Sequence, residues 1–374
     1  MRISIVGTGQ LARLMALAAH SLKLEVSFLR LGEDDYSSVD GLGRVVTATP
    51  TRTAEGLYRD LGRPDVITVD RESVDIELLK SLQRFCTVDP APEVIELTQH
   101  RLKEKYWVAH QLQLPTADYR YCDDGHSLFE AAETLKFPLI AKSCESGYDG
   151  KNQWRLQDLS ALKSCWEQIV KAEAIIEKQV SFQKEVSLIG VRNVHGEICF
   201  YPLTENYHQN GVLVSSEVGI TPLPDELVGQ AQSYLAALMS SSNYIGVMTM
   251  ECFITDKGLL INELAPRVHN SGHWTLTGSV TNQFENHIRA ITGMPLGSTE
   301  LLAPTAMVNL LGMEPETVSL IDEQSQLYDY KKALKPGRKM GHINCSYNEP
   351  WRLQQWLEQQ LNAVYGWEER RVAS

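Results

Sequence analysis

The stretch T-M-E-C-F-I-T-D-K-G-L-L-I-N-E-L-A-P-R-V-H-N-S-G-H-W, which begins at Thr249 and ends at Trp274, decides the architecture expected for this chain. Two apolar, β-rich runs, 248–254 and 259–264, flank a turn and together predict a β-hairpin. If residues 256–258 form a three-residue loop with Gly258 in the left-handed region, the register places Glu251 directly opposite Glu263. Two carboxylates then share one face of the hairpin.

Such a pair of acids is unfavourable unless something offsets its charge. Directly opposed residues on paired strands have Cβ atoms roughly 4.5–5.5 Å apart, and like charges there destabilise the sheet. Within an apolar run the cost rises, because charged groups lose their hydration. A shared proton or a bound cation would offset it, and Mg²⁺ typically takes one or two protein carboxylates together with substrate phosphates. The alternative is a solvated hairpin whose two acids never meet.

A cluster of polar side chains follows the second strand, directly after Pro266. The cluster has neither a helical nor a strand period, which favours a loop that holds a ligand over a core element. Its members are Arg267, His269, Asn270, Ser271, His273 and Trp274.

Length and composition indicate a multidomain globular protein. The 374 residues exceed what one hydrophobic core usually organises, so two or three domains are expected. A net charge of −12 opposes binding to nucleic acid or to an anionic membrane, so a phosphate site must be a local basic pocket. We expect no signal peptide and no spanning helix. The seven scattered cysteines lack C-x-x-C spacing, as is typical of free thiols in a reducing cytoplasm.

The N-terminus predicts a small doubly wound α/β domain over residues 1–98. A buried strand at 2–6 runs into Gly7-Thr8-Gly9-Gln10-Leu11-Ala12 and a helix through Leu22, the context of a G-x-G-x-x-G/A turn. Further strand patterns at 44–48, 66–70 and 87–88 alternate with helical stretches. No acidic ribose ligand ends the second strand. Dinucleotide binding, a purely structural turn, and use of the glycines to approach a different phosphate therefore all stay open.

The middle of the chain predicts a nucleotide-phosphate site at Lys142. Residues 98–114 are expected to be helical and to carry Arg101, Lys103 and Lys105, and the buried strand 137–142 ends in Lys142. A glycine-bearing loop, 143–153, follows at once. A lysine at such a junction can place its ammonium group on ATP phosphates while backbone N–H groups of the loop cover them.

Three further features in the second half are open to a ligand-binding or an ordinary structural interpretation. We interpret residues 174–180 as an edge strand whose free backbone groups could bind adenine, with Glu185 on the next strand; both Glu177 and Glu185 could equally face solvent. His208 alone would more often be structural. The basic segment 330–339 surrounds a Pro-Gly turn and favours a phosphate partner over a solvated loop.

These features in this order resemble the ATP-grasp carboxylate-amine ligase superfamily and, within it, the 5-(carboxyamino)imidazole ribonucleotide synthases of purine biosynthesis. The resemblance spans nearly the whole chain. Its most specific segments are Gly147-Tyr148-Asp149-Gly150-Lys151, Glu185-Val186-Ser187-Leu188, residues 201–206, residues 262–275 and Pro336-Gly337-Arg338-Lys339.

The resemblance implies an ATP-grasp fold of three domains, 1–98, a small lid at 99–182 and a large α+β domain at 183–374, and a dimer in the cytoplasm. It implies bicarbonate, 5-aminoimidazole ribonucleotide and ATP as substrates, with Mg²⁺. The residues it assigns to ATP are Arg101, Lys142, Gly147, Tyr148, Asp149, Gly150, Lys151, Asn152, Gln153, Glu177, Lys178, Gln179, Val180, Glu185, His208, Asn262 and Glu263. Those for the ribonucleotide and bicarbonate are Tyr148, Asp149, Lys151, Arg267, His269, Asn270 and Ser271, with Lys332, Arg338 and Lys339 on the 5′-phosphate. Glu251 and Glu263 would bind the metal, and Asp149, Arg267 and His269 would carry the catalysis.

The chain departs from the family pattern at three glycines. Ser146 and Asn152 replace loop glycines, which predicts a stiffer or slower loop, and Ala12 replaces the last glycine of the first turn. Other functions remain possible from the sequence: a formate- or glycine-using ATP-grasp ligase, a nicotinamide-dependent oxidoreductase, or a non-catalytic nucleotide-binding protein.

Overall fold

The N-terminal part of the chain is a parallel five-stranded sheet in the order β3-β2-β1-β4-β5. The computed structural model describes residues 1–145 and 152–366. The strands are β1 Arg2–Val6, β2 Glu25–Leu31, β3 Arg44–Ala48, β4 Val66–Val69 and β5 Thr87–Val88, and the helices are α1 Gln10–Ser21, α2 Ala54–Asp60, α3 Ile76–Gln83 and α4 Pro92–Gln99. Every residue of β4 is buried, which is why this strand has no polar alternation. The doubly wound arrangement expected from the sequence is confirmed.

A second sheet, antiparallel, lies within residues 119–178. Its strands are β6 Tyr119–Cys122, β7 Leu139–Ser143, β8 Gln153–Leu156 and β9 Ala174–Lys178, preceded or covered by helices α5 Arg101–Tyr106, α6 Gly125–Leu135 and α7 Leu159–Lys171. The order is β6-β9-β7-β8, so β9 is an interior strand. The expected edge strand at 174–180 is therefore wrong, because β6 pairs along its outer side.

The expected helix over 98–114 is also interrupted. His100 adopts φ −118° and ψ 108°, which ends α4 and begins α5. Beyond α5 the turns widen into a short π-helix at Trp107–Gln111. The break sets α5 at a new angle, and Arg101 Nη1 donates to the Ser143 carbonyl at 2.8 Å.

The third sheet is the largest and runs in the order β15-β14-β10-β12-β13-β16-β18-β17, with β11 paired to β10. Its strands are β10 Lys184–Arg192, β11 Ile198–Phe200, β12 Thr204–Gln209, β13 Val212–Val218, β14 Gly246–Thr255, β15 Gly258–Ala265, β16 Thr305–Leu311, β17 Gln326–Asp329 and β18 Lys339–Ser346. The helices are α8 Asp225–Ser241, α9 Thr275–Gly278, α10 Gln283–Ile291 and α11 Pro350–Tyr365. Among the described residues no helix has the length and apolar content needed to cross a membrane.

The hairpin of β14 and β15 pairs Glu251 with Glu263 as expected, but its loop and register differ from the prediction. Thr255 pairs with Gly258, so the loop has two residues rather than three, although Gly258 does have a positive φ of 104°. A β-bulge between Glu251 and Cys252 then shifts the register by one residue, and Glu251 faces Glu263. Asn262 is the extra residue of the bulge, since Cys252 pairs with Ile261.

A buried histidine connects the first sheet to the third. The backbone N–H of Val247 donates to His287 Nδ1 at 3.1 Å, so His287 Nε2 carries the proton and donates to Thr68 Oγ1 at 2.8 Å. Burial lowers the pKa of His287 to about 4.

We expect this histidine to make the protein less stable in mild acid. The unfolded state takes up a proton near pH 6.5 and the folded state only near 4, so stability is lost as the pH falls through that window, at up to about 1.4 kcal/mol per pH unit. His287→Gln should lower Tm at pH 7.5, and the gap to the native protein should narrow from pH 7 to pH 5. His20→Gln, at an exposed histidine of α1, is the control. A gap that stays constant across this range would contradict the assignment.

Candidate active site

The two facing acids form the centre of the site. Burial, together with the negative charge of Glu263, raises the pKa of the Glu251 carboxyl. His269 Nε2 lies 3.5 Å from Glu251 Oε1, and the described ion pairs include none between either acid and a lysine or arginine. A second pair of opposed acids, Glu205 and Glu217 on β12 and β13, differs in this respect, because Lys184 Nζ lies 2.5 Å from Glu205 Oε2.

This difference favours a cation at Glu251 and Glu263. The described residues contain no group of three or more His, Cys, Asp or Glu side chains that could hold a metal by itself. Two carboxylates are the usual protein share of a Mg²⁺ site whose other ligands are phosphate oxygens and water. The donor set therefore fits a metal that arrives with a nucleotide.

Lys142 lies between the second and third sheets, at the expected strand end. Its Nζ contacts Glu177 Oε2 at 2.6 Å and donates to Asn262 Oδ1 at 3.1 Å. Glu177 is 4% exposed, so the solvent-facing alternative for this residue is wrong. Burial alone would raise the pKa of Glu177, but the positive charges of Lys105 and Lys142 lower it to about 2.

Lys105 belongs to the same cluster, and its place there was not expected from the sequence. Its Nζ lies 3.0 Å from Glu177 Oε1 and donates to Thr116 Oγ1 at 2.7 Å and to the Asn262 carbonyl at 3.0 Å. Its position four residues after Arg101, on the same face of a helix, is the one signal that could have suggested it.

The remaining residues assigned to ATP lie around this cluster. His208 Nδ1 is 2.5 Å from Glu185 Oε2. Burial lowers the pKa of His208, but the hydrogen bond to Glu185 and the charge of Glu251 outweigh burial and raise this pKa above its usual value. Lys178 donates through Nζ to the carbonyls of Lys136 and Phe137, and the Gln179 N–H donates to the Pro138 carbonyl. Val180 directly follows them in the chain.

The loop that precedes β8 is described only in part. Gly147, Tyr148, Asp149, Gly150 and Lys151, and also Ser146, lie outside the described residues. Gln153 pairs with Lys142 in the β7–β8 ladder, and the Ser143 N–H donates to the Asn152 carbonyl at 3.0 Å. Asn152 has a φ of +53°, a conformation that asparagine tolerates better than most residues, so it can occupy the position of the family's glycine.

The polar cluster after Pro266 divides into two groups. Arg267 pairs with Glu72 of the N-terminal part at 2.7 Å, and its Nε has no partner among the described residues. Burial, and the charge of Arg267, lower the pKa of His269 well below its usual range, so its ring is neutral. His269 and Arg267 thus lie beside the acids.

The other group is directed into the protein interior. Ser271 accepts a hydrogen bond from Ser187 at 2.8 Å, and Asn270 exchanges a reciprocal pair of hydrogen bonds with Asn309 at 2.7 and 3.0 Å. His273 contacts the Tyr330 hydroxyl at 2.9 Å. These side chains hold the loop in place rather than opening onto the acids.

The basic segment packs against the first turn of the chain. Lys332 Nζ donates to Gln10 Oε1, and Arg338 Nη1 pairs with Asp35 Oδ2 at 3.0 Å. Burial, with the nearby charge of Arg338, lowers the pKa of Lys332 to about 7. Lys332 Nζ also donates to the Lys339 carbonyl at 3.3 Å, and the charges of Arg338 and Lys339 both act on it, so the three cations lie close together. Gln10, beside Lys332, had not been selected from the sequence.

The first turn itself is occupied by a carboxylate. Asp70 Oδ2 accepts the Gly9 N–H at 2.8 Å, and a Cβ added to Gly7 would lie 1.8 Å from Asp70 Oδ1. A pyrophosphate bound there would meet this acid. The geometry therefore disfavours dinucleotide binding, and equally a different phosphate held by the glycines themselves, and favours a purely structural turn.

Comparison with known proteins defines the class first. The ATP-grasp domain model matches residues 107–284, the ribonucleotide synthetase preATP-grasp domain model matches 1–99, and the phosphoribosylaminoimidazole carboxylase C-terminal domain model matches 305–355. The chain is thus an ATP-grasp enzyme, which confirms the resemblance inferred from the sequence.

Individual relatives then define the family. N5-carboxyaminoimidazole ribonucleotide synthase of Vibrio cholerae is 38% identical over 96% of this chain and 94% of the relative, and that of Escherichia coli is 36% identical over 96% and 93%. The crystal structure of the synthetase from Thermus thermophilus superposes with a TM-score of 0.89 at 34% identity, covering 97% of this chain and 98% of that one. The chain belongs to the N5-carboxyaminoimidazole ribonucleotide synthase family.

Proposed function

We propose that this enzyme carboxylates the 5-amino group of 5-aminoimidazole ribonucleotide with bicarbonate and ATP, in purine biosynthesis. The products are 5-(carboxyamino)imidazole ribonucleotide, ADP and phosphate. The observation that carries the proposal is the pairing of Glu251 with Glu263 beside Lys142, in a chain of this family. A family structure from Aspergillus clavatus, 25% identical with a TM-score of 0.87, is described as a complex with ADP and 5-aminoimidazole ribonucleotide, which supports both substrates.

ATP is proposed to lie between the second and third sheets. Lys142 and Arg101 would contact its phosphates, and the loop at 147–153 would cover them. Residues 177–180 would lie beside adenine, with the contacts made at the end of the segment by the Gln179 carbonyl and the Val180 backbone, because the Glu177 backbone and the N–H groups of Lys178 and Gln179 already bond to neighbouring segments. Glu185, His208 and Asn262 would complete the nucleotide site. Glu251 and Glu263 would hold Mg²⁺, which supplies charge neutralisation at the phosphates.

The chemistry requires activation of bicarbonate, a poor electrophile. A bicarbonate oxygen attacks the γ-phosphorus of ATP, the bond to the bridging oxygen of ADP breaks, and carboxyphosphate forms. The amine nitrogen then attacks the carboxyl carbon, phosphate leaves, and the amine gives up a proton. Such a transfer depends mainly on positioning and on neutralising charge, the roles assigned to Lys142 and Arg267.

Two groups are candidates for accepting that proton. Asp149 is the first, and it lies outside the described residues together with Tyr148 and Lys151. His269 is the second: its ring is neutral, and Ser271 Oγ lies 2.9 Å from its Nδ1, which fixes the ring orientation. The Ser271 N–H also donates to Nδ1 at 3.3 Å, so Nε2 carries the proton of the neutral ring, and His269 could accept the amine proton only if this contact were broken.

The 5′-phosphate of the ribonucleotide is proposed to bind at Lys332, Arg338 and Lys339, with Gln10 beside them. We further propose the three-domain division at 98 and 182, a homodimer and a cytoplasmic location, and we expect no nucleic-acid or membrane partner. The net charge of −12 supports the last point.

We expect Arg338→Ala to raise the KM for the ribonucleotide about 10- to 100-fold, because a charge-assisted contact to phosphate is lost. The KM for ATP should change by less than about twofold, since ATP binds between the other two sheets. Steady-state kinetics with each substrate varied gives both values. Lys335→Ala removes an exposed cation of the same segment and serves as control. Equal effects on both substrates would remove the phosphate role.

The proposed function is tested by phosphate release with ATP, bicarbonate or 5-aminoimidazole ribonucleotide omitted in turn. Release should require all three. Turnover with formate or glycine instead of bicarbonate would favour a different ATP-grasp ligase. ATP binding without acceptor-dependent release would favour a non-catalytic protein, and NAD(P)H binding would favour an oxidoreductase.

A further inference from the structure

Two buried lysines contact one carboxylate, but they differ in how many of their donors are used. An ammonium group has three N–H donors. Lys105 donates two of them, to Thr116 Oγ1 and to the Asn262 carbonyl, and its Nζ lies 3.0 Å from Glu177 Oε1, which has no hydrogen-bond partner among the described residues. Lys142 donates one, to the Asn262 side chain, and its Nζ lies 2.6 Å from Glu177 Oε2. Lys142 is therefore held by fewer hydrogen bonds than Lys105, and more of its donors are open to a ligand.

Lys105 is also the more deeply buried of the two. It is 3% exposed, against 8% for Lys142, and Thr116 and Asn262 hold its ammonium group from two sides. Its third contact is with Glu177 Oε1, while Lys142 holds Oε2. Each lysine thus contacts a different oxygen of the Glu177 carboxylate.

The affinity of Lys142 for phosphate depends on how far Glu177 compensates its charge. Two ammonium groups share one ionised carboxylate, and low exposure strengthens each of these contacts relative to water. Without Lys105, Glu177 would neutralise Lys142 alone. An anionic nucleotide would then compete with Glu177 for Lys142.

We propose that Lys105 is a positioning residue for ATP, acting through Glu177. It occupies one carboxylate oxygen, so that Lys142 remains available to the nucleotide. Lys105 itself does not contact the substrate. The inference rests on the ATP site proposed above and adds to it a residue that neither the sequence motifs nor the family resemblance selected.

Lys105→Met removes the ammonium group and keeps a side chain of similar length. We expect it to raise the KM for ATP and the Kd for Mg-ADP on the order of ten- to a hundredfold, with the KM for the ribonucleotide changed less than about twofold. Lys103→Met is the matched control, since Lys103 lies two residues earlier on α5 with an exposed side chain. That control should bind Mg-ADP like the native enzyme.

The decisive measurement is a double-mutant cycle with Glu177→Gln, followed by calorimetry with Mg-ADP. The double variant has no carboxylate to compensate the charge of Lys142, so it should bind at least about tenfold more tightly than Lys105→Met alone. An additive cycle, with the double variant as weak as the single one, would overturn the proposal.

A second comparison does not require Lys105→Met to fold. Within the Glu177→Gln background, removal of Lys105 should change the Kd by less than about threefold, and a loss of tenfold or more would show that Lys105 acts independently of Glu177. Mg-ADP binding is measured without 5-aminoimidazole ribonucleotide. The role of Lys105 can therefore be tested even if the native enzyme binds Mg-ADP but does not carboxylate the ribonucleotide. That outcome would remove the proposed function and not the role of Lys105.

Discussion

Replacing Glu263 with glutamine is expected to lower ATP turnover by about a thousandfold or more, while the protein becomes no less stable. Glutamine keeps the shape of the side chain and removes its charge. The loss of charge weakens the proposed metal site, and it also relieves the repulsion that raises the pKa of Glu251. ATP turnover should therefore fall, while Tm should rise or stay constant.

The measurement pairs acceptor-dependent phosphate release with a thermal melt in the absence of nucleotide. Glu205→Gln is the matched control, because it too removes one acid of a directly opposed pair, but one that Lys184 accompanies. It should retain activity and gain no stability. Near-normal turnover in Glu263→Gln would mean that the facing acids are not metal ligands.

Replacing Lys142 with methionine is the second large effect expected, a fall in kcat of about 10²- to 10³-fold. The reason is the role proposed for Lys142, whose ammonium group would donate to the charge that develops on the transferred phosphoryl group. Its loss also removes a contact to the bound nucleotide, so the KM for ATP should rise as well. Lys105→Met, which is proposed to act through Lys142, should raise the KM for ATP with a smaller fall in kcat.

Steady-state kinetics on both lysine variants separates these roles. Lys136→Met, at an exposed lysine just before β7, serves as a control for loss of charge near that strand. If Lys142→Met raised the KM for ATP and left kcat unchanged, Lys142 would contribute to binding alone.

The sequence was most informative where a pattern is local. Alternating apolar runs located the hairpin, and a lysine at a strand end located Lys142, because both depend on a few adjacent residues. The doubly wound order of the first sheet followed from alternating strands and helices. The predicted Glu251–Glu263 pairing was also correct, although the loop is one residue shorter than predicted and the bulge at Asn262 compensates for it. No local sequence signal distinguishes a three-residue loop from a two-residue loop with a bulge.

Features that depend on distant pairing could not be read in this way. The interior position of β9 requires knowledge that β6 pairs beside it, and a short strand such as Tyr119–Cys122 has little period of its own. Lys105 is equally inconspicuous, since its partners Glu177 and Asn262 lie 72 and 157 positions along the chain. Gln10 and Lys332 are 322 positions apart.

The bulge at Asn262 has a consequence for a deletion in this hairpin. A chain with Asn262 deleted would still oppose Glu251 and Glu263, because the pairs from Thr255–Gly258 to Cys252–Ile261 would place Glu263 next in the register. It would lose the carbonyl that holds Lys105 and the amide oxygen that holds Lys142. The extra residue is thus not needed to bring the acids opposite each other, but it connects their strand to Lys105 and Lys142.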